Sequence, residues 1–395
     1  MIIEPKTRGF ICTTAHPTGC QQHVREQIDF VRQHGKMEGK GPRFALVIGA
    51  STGYGLASRI TAAFGAGADT IGVAFERPAS GKRTATAGWY NTAFFEREAK
   101  EAGLYSESII GDAFSDEIKA QVIDAIKRRG KKVDLVIYSL AAPRRVHPKT
   151  KETFTSVLKP IGAAYTNKTV DFHNGVVTDV TIEPATEEEI RHTIAVMGGE
   201  DWEMWIDALQ EAGVLADDVK TVAYSYIGPE LTYPIYREGT IGRAKLDLEQ
   251  TARRLHDRLS KSGGAAYVSV NKALVTQSSA AIPVVPLYIS LLFKVMKEKN
   301  IHENCIGQMV RLFKDRLYAE GGVPVDEQGL IRIDDLEMRE DVQALVRERW
   351  EKVNTENLHE LTDIEGYRAE FFRLFGFGFE NVDYEKDVDP DVSID

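Results

Sequence analysis

Residues 43–58 read RFALVIGASTGYGLAS, and the fold can be predicted outward from this stretch. The apolar run Phe44 to Ile48 leads into a loop that carries Gly49, Gly53 and Gly55, and a helix-compatible segment follows. A glycine loop between a strand and a helix directs backbone N–H groups and the positive end of the helix dipole at a point where a phosphate can bind. The sequence therefore predicts a strand, a phosphate-binding turn and a helix, in that order.

Further apolar segments follow this unit and alternate with helical stretches. They are 69–76, 104–110, 133–143, 220–228 and 263–276. Strands that alternate with helices form parallel sheets whose two faces are both covered. We therefore expect an α/β fold, a Rossmann-type doubly wound parallel sheet with helices on both faces. The G-x3-G-x-G spacing of the loop resembles that of the short-chain dehydrogenase/reductase superfamily.

Three regions depart from this alternation within what we expect to be a single domain, residues 1–395. Residues 1–41 precede the first core strand and are expected to be an N-terminal extension that packs on the sheet edge. Residues 144–200 are interpreted as an insertion in which Asn174-Gly175 lies between two alternating arms, a strong hairpin signal. Residues 300–395 are mainly helical and charged, with one possible short strand in GLIRID.

The composition is that of a soluble globular protein, with 43% hydrophobic and 27% charged residues. A formal net charge of −10 argues against broad nucleic-acid binding. The three cysteines lack C-x-x-C spacing, which favours a reduced, cytoplasmic setting. The N-terminus lacks the apolar core of a signal peptide, and the most apolar stretch, 280–293, is 14 residues long and too short to span a bilayer. The nine histidines show no H-x-H or H-E-x-x-H spacing, so no metal site is predicted.

Glu76 ends the second predicted strand, 21 residues after Gly55. An acid about 20 residues beyond a dinucleotide-binding loop accepts hydrogen bonds from the ribose hydroxyls and repels a 2′-phosphate. This spacing predicts an adenosine site and favours NADH over NADPH. Arg77 follows directly and could soften that preference.

The same loop also fits a different chemistry. Gly49-Ala50-Ser51-Thr52-Gly53 matches G-x-S-x-G, the turn that exposes a nucleophilic serine in α/β-hydrolases. The hydrolase turn usually follows several strands, whereas this loop follows the first core strand. A hydrolase would also need neither Gly55 nor Glu76. A serine hydrolase that uses Ser51 is therefore the less favoured alternative.

Tyr236 and Lys245 are nine positions apart, a Y-x8-K spacing, close to the end of the fifth predicted strand. Ligands of open parallel sheets bind at the carboxyl ends of the strands. An ammonium near a tyrosine hydroxyl lowers the pKa of the hydroxyl and makes it a better acid–base group, and a lysine can also donate to ribose hydroxyls. The pair therefore predicts a proton donor and a cofactor-orienting lysine, which a nicotinamide-dependent reductase needs.

Other residues at the carboxyl ends of predicted strands are candidate cofactor contacts. They are Asp112, which could reach the adenine, Leu140 and Ala141 after the fourth strand, and Leu274, Val275 and Thr276 at the end of the sixth, near the expected nicotinamide. The apolar helix beyond Pro283 has two open interpretations, a channel for an acyl chain or simply core.

Several segments together resemble the FabV-type trans-2-enoyl-CoA/enoyl-acyl-carrier-protein reductases. They are GASTGYG, VAFE, GDAF, YSLAAP, SYIGPELTYPIYREGTIGRAK and NKALVTQSSAAIP, and the opening IIEPKTRGFICTTAHP and the C-terminal FGFGFENVDYE are similar to that family as well. The Y-x8-K spacing is the distinguishing mark of this family. Ordinary short-chain dehydrogenases have Y-x3-K, and the other common enoyl reductases have Y-x6-K.

The resemblance implies reduction of the C2=C3 double bond of a trans-2-enoyl thioester, carried on acyl carrier protein or coenzyme A, in fatty acid biosynthesis. Hydride would pass from NADH to C3. Tyr236 would be the proton donor or oxyanion partner, Tyr226 would contact the thioester, and Lys245 would hold the ribose and tune Tyr236. The implied cofactor contacts are Gly49, Ala50, Ser51, Thr52 and Gly53 around the pyrophosphate, Tyr54 near the adenosine, and Phe75, Glu76, Asp112, Ala113, Leu140, Ala141, Leu274, Val275 and Thr276.

Two further alternatives remain open. A carbonyl-reducing short-chain dehydrogenase is the runner-up, although Y-x8-K speaks against it, and a cofactor-binding sensor without catalysis would not need Tyr236. Four basic residues could form a patch for the carrier or could be solvated loop charges; they are Arg144, Arg145, Lys149 and Lys151. The resemblance implies a monomer, and the net charge and the short apolar stretch argue against nucleic-acid and membrane partners.

Overall fold

The computed structural model describes residues 1–9 and 11–394. The strands of these residues are β1 (Thr7–Arg8), β2 (Ile11–Cys12), β3 (Phe44–Ile48), β4 (Asp69–Ala74), β5 (Ser106–Ile110), β6 (Val133–Tyr138), β7 (Arg144–Val146), β8 (Thr153–Thr155), β9 (Tyr165–Asp171), β10 (Val176–Ile182), β11 (Leu215–Ser225), β12 (Ala265–Val270) and β13 (Leu330–Arg332). Seven of them form one parallel sheet in the order β13-β12-β11-β6-β3-β4-β5. The chain winds outward from β3 in both directions, so the topological switch point lies between β3 and β6. The predicted doubly wound parallel sheet is confirmed.

The strands of this sheet are buried on both faces. Phe44, Leu46 and Ile48 of β3 face one apolar core, and Ala45 and Val47 face the other. All five predicted strands beyond β3 contain an observed strand, but β6 and β12 end five and six residues earlier than predicted. At these points the chain leaves the sheet and lines a cavity above it. An apolar run in the sequence does not show where a strand leaves the sheet. The predicted short strand in GLIRID is β13, the edge strand of the sheet.

Helices cover both faces of the sheet. They are α1 (Pro17–His34), α2 (Gly53–Ile60), α3 (Ala87–Glu101), α4 (Asp116–Arg129), α5 (Glu187–Met197), α6 (Glu200–Glu211), α7 (Thr240–Leu259), α8 (Gln277–Ala280), α9 (Val285–Glu298), α10 (Cys305–Leu312), α11 (Glu340–Lys352), α12 (Leu358–Leu361) and α13 (Ile364–Arg373). π-helical turns extend α2 and α10, and 3₁₀ turns lie at Glu230–Thr232 and Ser260–Ser262. Side chains of α4, α6 and α7 fill the core on one face, and those of α2, α3 and α10 fill the core on the other.

The N-terminal residues form a short hairpin, β1–β2, followed by α1. The expectation that they would pack on the sheet edge is wrong. Val24, Ile28 and Val31 of α1 are buried in the core shared with α2, α3 and α10. Their spacing of four and three residues forms an apolar stripe along one face of α1, and that stripe is buried against the helical layer.

The region 144–200 contains the predicted hairpin and a second one. β9 and β10 pair around a turn that includes Asn174-Gly175, where Gly175 has φ +72°. A shorter hairpin, β7–β8, was not predicted, because its arms have only three residues each. Val170 and Phe172 of the first hairpin belong to a third apolar core, which is built around α9 and α13 and lies beyond the carboxyl end of the sheet.

We searched residues 1–9 and 11–394 for a membrane-spanning segment, and none of their helices has the length and apolar character to cross a bilayer.

Candidate active site

A cavity of about 790 Å³ opens at the carboxyl ends of the parallel strands. Its walls come from the segments that follow β3, β4, β5, β6, β11 and β12, with α7 and α9 closing the far side. All predicted site residues line this cavity except Ala50 and Val275. The side chains of those two are 3% exposed and point into the apolar cores behind the wall.

The glycine loop after β3 needs its glycines for space as well as for conformation. A Cβ on Gly49, which has φ +88°, would lie 2.1 Å from the Ser139 carbonyl oxygen. A Cβ on Gly55 would lie 1.8 Å from the Gly49 oxygen. Gly53 has φ +53° and faces open space, with the nearest atom at 3.8 Å. The loop is therefore folded tightly against its own helix, and its open side faces the cavity at the N-terminus of α2.

Glu76 lies at the rim of the cavity, directly after β4. Its Oε1 accepts a 2.6 Å hydrogen bond from Ser51 Oγ, and its Oε2 accepts one from Thr86 Oγ1. Gly88 packs against it so closely that a Cβ there would lie 2.0 Å from Glu76 Oε1. Phe75 beside it is 80% exposed, an unusual state for a phenyl ring and one that suits stacking on a planar base. Thr86 and Gly88 escaped sequence analysis because they lie in a polar stretch with no motif.

Ser51 has the environment of a structural hydroxyl. Its partner is the Glu76 carboxylate, and Asn91 Nδ2 donates to its backbone oxygen at 3.1 Å. In the triad of an α/β-hydrolase, the nucleophilic serine is activated by a histidine base. The arrangement gives no support to the hydrolase alternative.

Tyr226 and Tyr236 face each other at the other end of the cavity. Their ring centroids are 4.8 Å apart, and the planes meet at 80°. Tyr226 lies just beyond β11, and Tyr236 lies in the turn that leads into α7. Within the described part of the chain, the Tyr236 hydroxyl has no hydrogen-bond partner. It is therefore free to donate to a ligand.

Lys245 lies on the second turn of α7 and lines the same cavity. Its ammonium donates a 3.1 Å hydrogen bond to the Tyr224 carbonyl oxygen. Burial lowers the pKa of Lys245 to about 8. Burial, with a smaller contribution from the Glu337 carboxylate, raises the pKa of Tyr236. The expectation that Lys245 would lower the pKa of Tyr236 is therefore wrong: the pKa is raised, because desolvation disfavours the phenolate, and Lys245 is not among the groups that shift it.

Tyr54 lies at the start of α2, directly after Gly53 of the glycine loop, and lines the cavity. Its hydroxyl donates a 2.5 Å hydrogen bond to the carbonyl oxygen of Lys272, two residues after β12. Glu76 and Asp112 follow β4 and β5, on the other side of β3 in the sheet. The hydroxyl of Tyr54 therefore points toward the β12 side of the sheet, and the placement of Tyr54 near the adenosine stays a prediction.

The apolar helix α9 packs into the core on one face and lines the cavity on another. Leu287 and Leu291 are fully buried in the third core. Val285 and Ile289, on another face of the helix, line the cavity. Together with Ile282 they give this end of the cavity an apolar wall, which suits an acyl chain.

Sequence analysis missed a buried carboxylate behind the two tyrosines. Glu337 is fully buried and receives hydrogen bonds from the hydroxyls of Tyr226 and Tyr288 and from the backbone N–H of Ala273. Burial raises the pKa of Glu337, and the nearby Lys272 opposes this rise. The segment around Glu337 is rich in acids and resembles a surface loop, so nothing in the sequence marks it as part of a site.

Two further cavity residues carry polar atoms without partners. Ser225 Oγ and Asn271 Nδ2 are buried, line the cavity, and have no hydrogen-bond partner in residues 1–9 and 11–394. Buried polar groups normally have one. Asn271 Oδ1 accepts from Ser269 Oγ at 2.8 Å, which leaves its amide N–H groups for the cavity. The cavity combines the glycine loop, the acid that follows β4, an exposed ring, and unpaired polar groups at the ends of β11 and β12. These features fit a nicotinamide dinucleotide along its length.

The predicted basic patch is smaller than expected. Arg145 is 1% exposed, and its guanidinium donates to Glu200 Oε2 at 2.7 Å and to the Ala195 oxygen at 2.6 Å. It was wrongly included in the patch, because an alternating three-residue strand turns it inward. Arg144 stays exposed and lines the cavity rim.

Three family models match the chain. The trans-2-enoyl-CoA reductase catalytic region matches residues 83–318, and the NAD(P)H-binding domain of trans-2-enoyl-CoA reductase matches residues 2–81. The enoyl reductase FAD-binding domain matches residues 325–388. Residues 325–388 are all described, none of them lines the 790 Å³ cavity, and they pack on α9 and the β9–β10 hairpin. These residues therefore contribute nothing to this cavity that could hold a flavin.

Two curated relatives cover the whole chain. An enoyl-[acyl-carrier-protein] reductase [NADH] from Coxiella burnetii is 64% identical over 396 residues, which are 100% of this chain and 97% of the relative. A trans-2-enoyl-CoA reductase [NADH] from Ruminiclostridium cellulolyticum is 62% identical over 395 residues, 100% of this chain and 99% of the relative.

Two crystal structures have the same fold. The trans-2-enoyl-CoA reductase of Treponema denticola in complex with NAD has a TM-score of 0.95 and 52% identity, with 98% of both chains covered. The trans-2-enoyl-CoA reductase of Clostridium acetobutulicum in complex with NADH has a TM-score of 0.97 and 46% identity, with 100% of both chains covered.

Proposed function

The chain belongs to the family of NADH-dependent trans-2-enoyl-CoA and enoyl-acyl-carrier-protein reductases, and we propose that it reduces the C2=C3 double bond of trans-2-enoyl thioesters with Tyr236 as the proton donor. NADH, when bound, supplies the hydride that goes to C3 of the substrate. The residues of the chain bind both molecules, orient them and deliver the proton.

The glycine loop and Glu76 hold the adenosine half of the cofactor. The loop offers backbone N–H groups to the pyrophosphate, and the Glu76 carboxylate accepts from the ribose hydroxyls while it repels a 2′-phosphate. At the other half, Lys245 donates to the second ribose, and Ser225 and Asn271 complete the polar contacts. The same cavity continues to the apolar wall of α9, where the acyl chain lies.

The Tyr236 hydroxyl is the observation that carries this proposal. Reduction at C3 leaves negative charge on the thioester oxygen, and the reaction is fast only if a hydrogen-bond donor meets that charge. The hydroxyl lines the same cavity as the glycine loop and has no partner among the described residues. Since burial raises its pKa, it keeps its proton at neutral pH and can donate it.

A spectrophotometric assay tests the proposal. Crotonyl-CoA is mixed with the protein and with NADH or NADPH in parallel, and the loss of nicotinamide absorbance is followed. We expect turnover with NADH and at least tenfold lower kcat/KM with NADPH. Absence of turnover with either cofactor would contradict the proposal. Acetoacetyl-CoA is the matched substrate for the carbonyl-reducing alternative, which requires it to react faster than crotonyl-CoA.

The carrier, the assembly state and the location are also part of the proposal. We infer that the enoyl group arrives on acyl carrier protein, in fatty acid biosynthesis, or on coenzyme A, and that the exposed Arg144 at the rim contacts the carrier. We also infer a cytoplasmic monomer. A comparison of kcat/KM for crotonyl-CoA and crotonyl-acyl carrier protein tests the first inference, and light scattering of the purified protein tests the monomer.

A further inference from the structure

Glu337 is a buried carboxylate that does not line the cavity, yet it accepts hydrogen bonds from residues that do. Its Oε1 accepts hydrogen bonds from the Tyr226 hydroxyl at 3.0 Å and from the Tyr288 hydroxyl at 2.6 Å. Its Oε2 accepts from the Ala273 N–H at 2.7 Å. Of these residues, Tyr226 and Ala273 line the cavity, whereas Tyr288 is fully buried.

Three hydrogen-bond donors therefore share the two carboxylate oxygens of Glu337. An ionised carboxylate is an acceptor only, so it suits three donors, whereas a protonated acid would need an acceptor for its own hydrogen. Burial of a carboxylate costs several kcal/mol unless it is hydrogen-bonded and neutralised. The Lys272 ammonium, which is 2% exposed and lies nearby, supplies the opposite charge. The donor set indicates that Glu337 is ionised in the folded protein.

This geometry decides where the hydrogen of Tyr226 points. A tyrosine hydroxyl has one hydrogen, and Tyr226 gives it to Glu337, away from the cavity. The Tyr226 oxygen then presents only lone pairs to the cavity, where it can accept a hydrogen bond but cannot donate one. Gly228 packs closely against Tyr226, since a Cβ there would lie 2.7 Å from the Tyr226 hydroxyl oxygen.

We propose that Glu337 is a positioning residue for the reaction: it withdraws the hydroxyl hydrogen of Tyr226 from the cavity, so that Tyr226 accepts there and Tyr236 alone donates to the thioester oxygen. This inference rests on the proposed function, because it assigns the two tyrosines opposite roles toward the same substrate.

Glu337→Gln reverses the direction of these hydrogen bonds without a change in size. The Ala273 N–H needs an acceptor, so the amide oxygen turns toward it and the amide nitrogen turns toward the two tyrosine oxygens. The amide N–H then donates to Tyr226, and the hydrogen of Tyr226 is released into the cavity. The substitution therefore acts on the substrate through Tyr226 and through no direct contact.

A double-mutant cycle on the full-length protein tests this coupling. Wild type, Glu337→Gln, Tyr226→Phe and the double variant are assayed with crotonyl-CoA and NADH, and the binding of butyryl-CoA is measured by calorimetry. We expect Glu337→Gln to change kcat and the butyryl-CoA Kd at least fivefold in the wild-type background and less than twofold in the Tyr226→Phe background. NADH affinity should stay within twofold throughout, because Glu337 does not line the cavity.

Equal effects of Glu337→Gln in the two backgrounds would overturn the inference, since they would show a general structural role. No effect in the wild-type background would overturn it as well. If Glu337→Gln does not fold, Glu337→Asp replaces it with the same expectation, because the shorter carboxylate withdraws from Tyr226. A wild-type protein that fails to turn over crotonyl-CoA would instead disprove the proposed function.

Discussion

Ser51 Oγ donates a 2.6 Å hydrogen bond to Glu76 Oε1, and this bond ties the glycine loop to the end of the neighbouring strand. The second oxygen of the carboxylate is held by the Thr86 hydroxyl. Glu76 is therefore fixed from two sides, with lone pairs left over for ribose hydroxyls. A carboxylate held in this way cannot swing out to make room for a 2′-phosphate, and we infer that Glu76 makes the cofactor choice.

Substitution of Glu76 by alanine should reduce the preference for NADH. The loss of the carboxylate removes both the ribose acceptor and the repulsion of a 2′-phosphate. We expect the ratio of kcat/KM with NADH to that with NADPH to fall about tenfold or more, equivalent to about 1.4 kcal/mol or more. Glu101→Ala, an exposed acid at the end of α3, is the control and should leave the ratio unchanged. An unchanged ratio in Glu76→Ala would show that selectivity is set elsewhere.

Gly88→Ala should mimic that effect without removing the acid. The new Cβ would lie 2.0 Å from Glu76 Oε1 and 2.8 Å from Ser51 Cβ, so the carboxylate must move. We expect a several-fold higher KM for NADH and a smaller preference over NADPH. Gly307→Ala is the matched helical control, because its nearest neighbour would lie at 3.3 Å. An alanine at position 88 that leaves both quantities unchanged would mean that Glu76 is not a cofactor contact.

The position of Glu76 on the same cavity as the glycine loop could be predicted because one strand–helix–strand unit fixes its geometry. The distance in sequence from Gly55 to Glu76 follows from a helix and a strand of ordinary length, and both lie where they were expected. The partners of Glu76 could not be predicted. Thr86 and Gly88 reach it through a loop whose path depends on tertiary packing, and no local spacing encodes that path.

Tyr236→Phe should abolish most turnover and keep the cofactor. The substitution removes the hydroxyl that meets the charge on the thioester oxygen, a contribution of about 10²-fold or more. NADH affinity, measured by fluorescence, should stay within about threefold, because the ring remains. Tyr233→Phe, three residues earlier and outside the cavity wall, is the control. Near-normal turnover in Tyr236→Phe would assign the proton to another group.

Lys245 should make NADH binding sensitive to pH. Its pKa is lowered by burial to about 8, so it is an ammonium at pH 7 and largely neutral at pH 9.5. A ligand that prefers the charged form takes up a proton when it binds above this pKa, and its affinity therefore falls as the pH rises. We expect the NADH Kd to rise several-fold between pH 7 and pH 9.5. In Lys245→Arg the profile should be flat, since a guanidinium stays charged; a wild-type profile that is equally flat would contradict the role of Lys245.

The substrate end of the site was predicted only in part. The Y-x8-K spacing identified Tyr236 and Lys245, because both lie on one short segment after β11. The pKa of Tyr236 was predicted in the wrong direction, since spacing says nothing of burial. Glu337 lies 111 residues from Tyr226 in the chain, and their contact depends on how the C-terminal residues fold over the sheet.

Ser225 gives a prediction in which stability and binding move in opposite directions. Its buried Oγ has no partner among the described residues, and an unsatisfied buried hydroxyl destabilises the folded state by about 1–3 kcal/mol. Ser225→Ala should therefore raise the melting temperature of the cofactor-free protein or leave it unchanged. The same change should raise the NADH Kd about five- to tenfold, because a hydrogen bond of about 1–1.5 kcal/mol is lost.

Ser290→Ala, which removes a satisfied buried hydroxyl from α9, is the control and should lower the melting temperature and leave NADH affinity unchanged. If Ser225→Ala lowers the melting temperature and keeps the NADH affinity of the wild type, its hydroxyl is a structural group and the cofactor contact lies elsewhere.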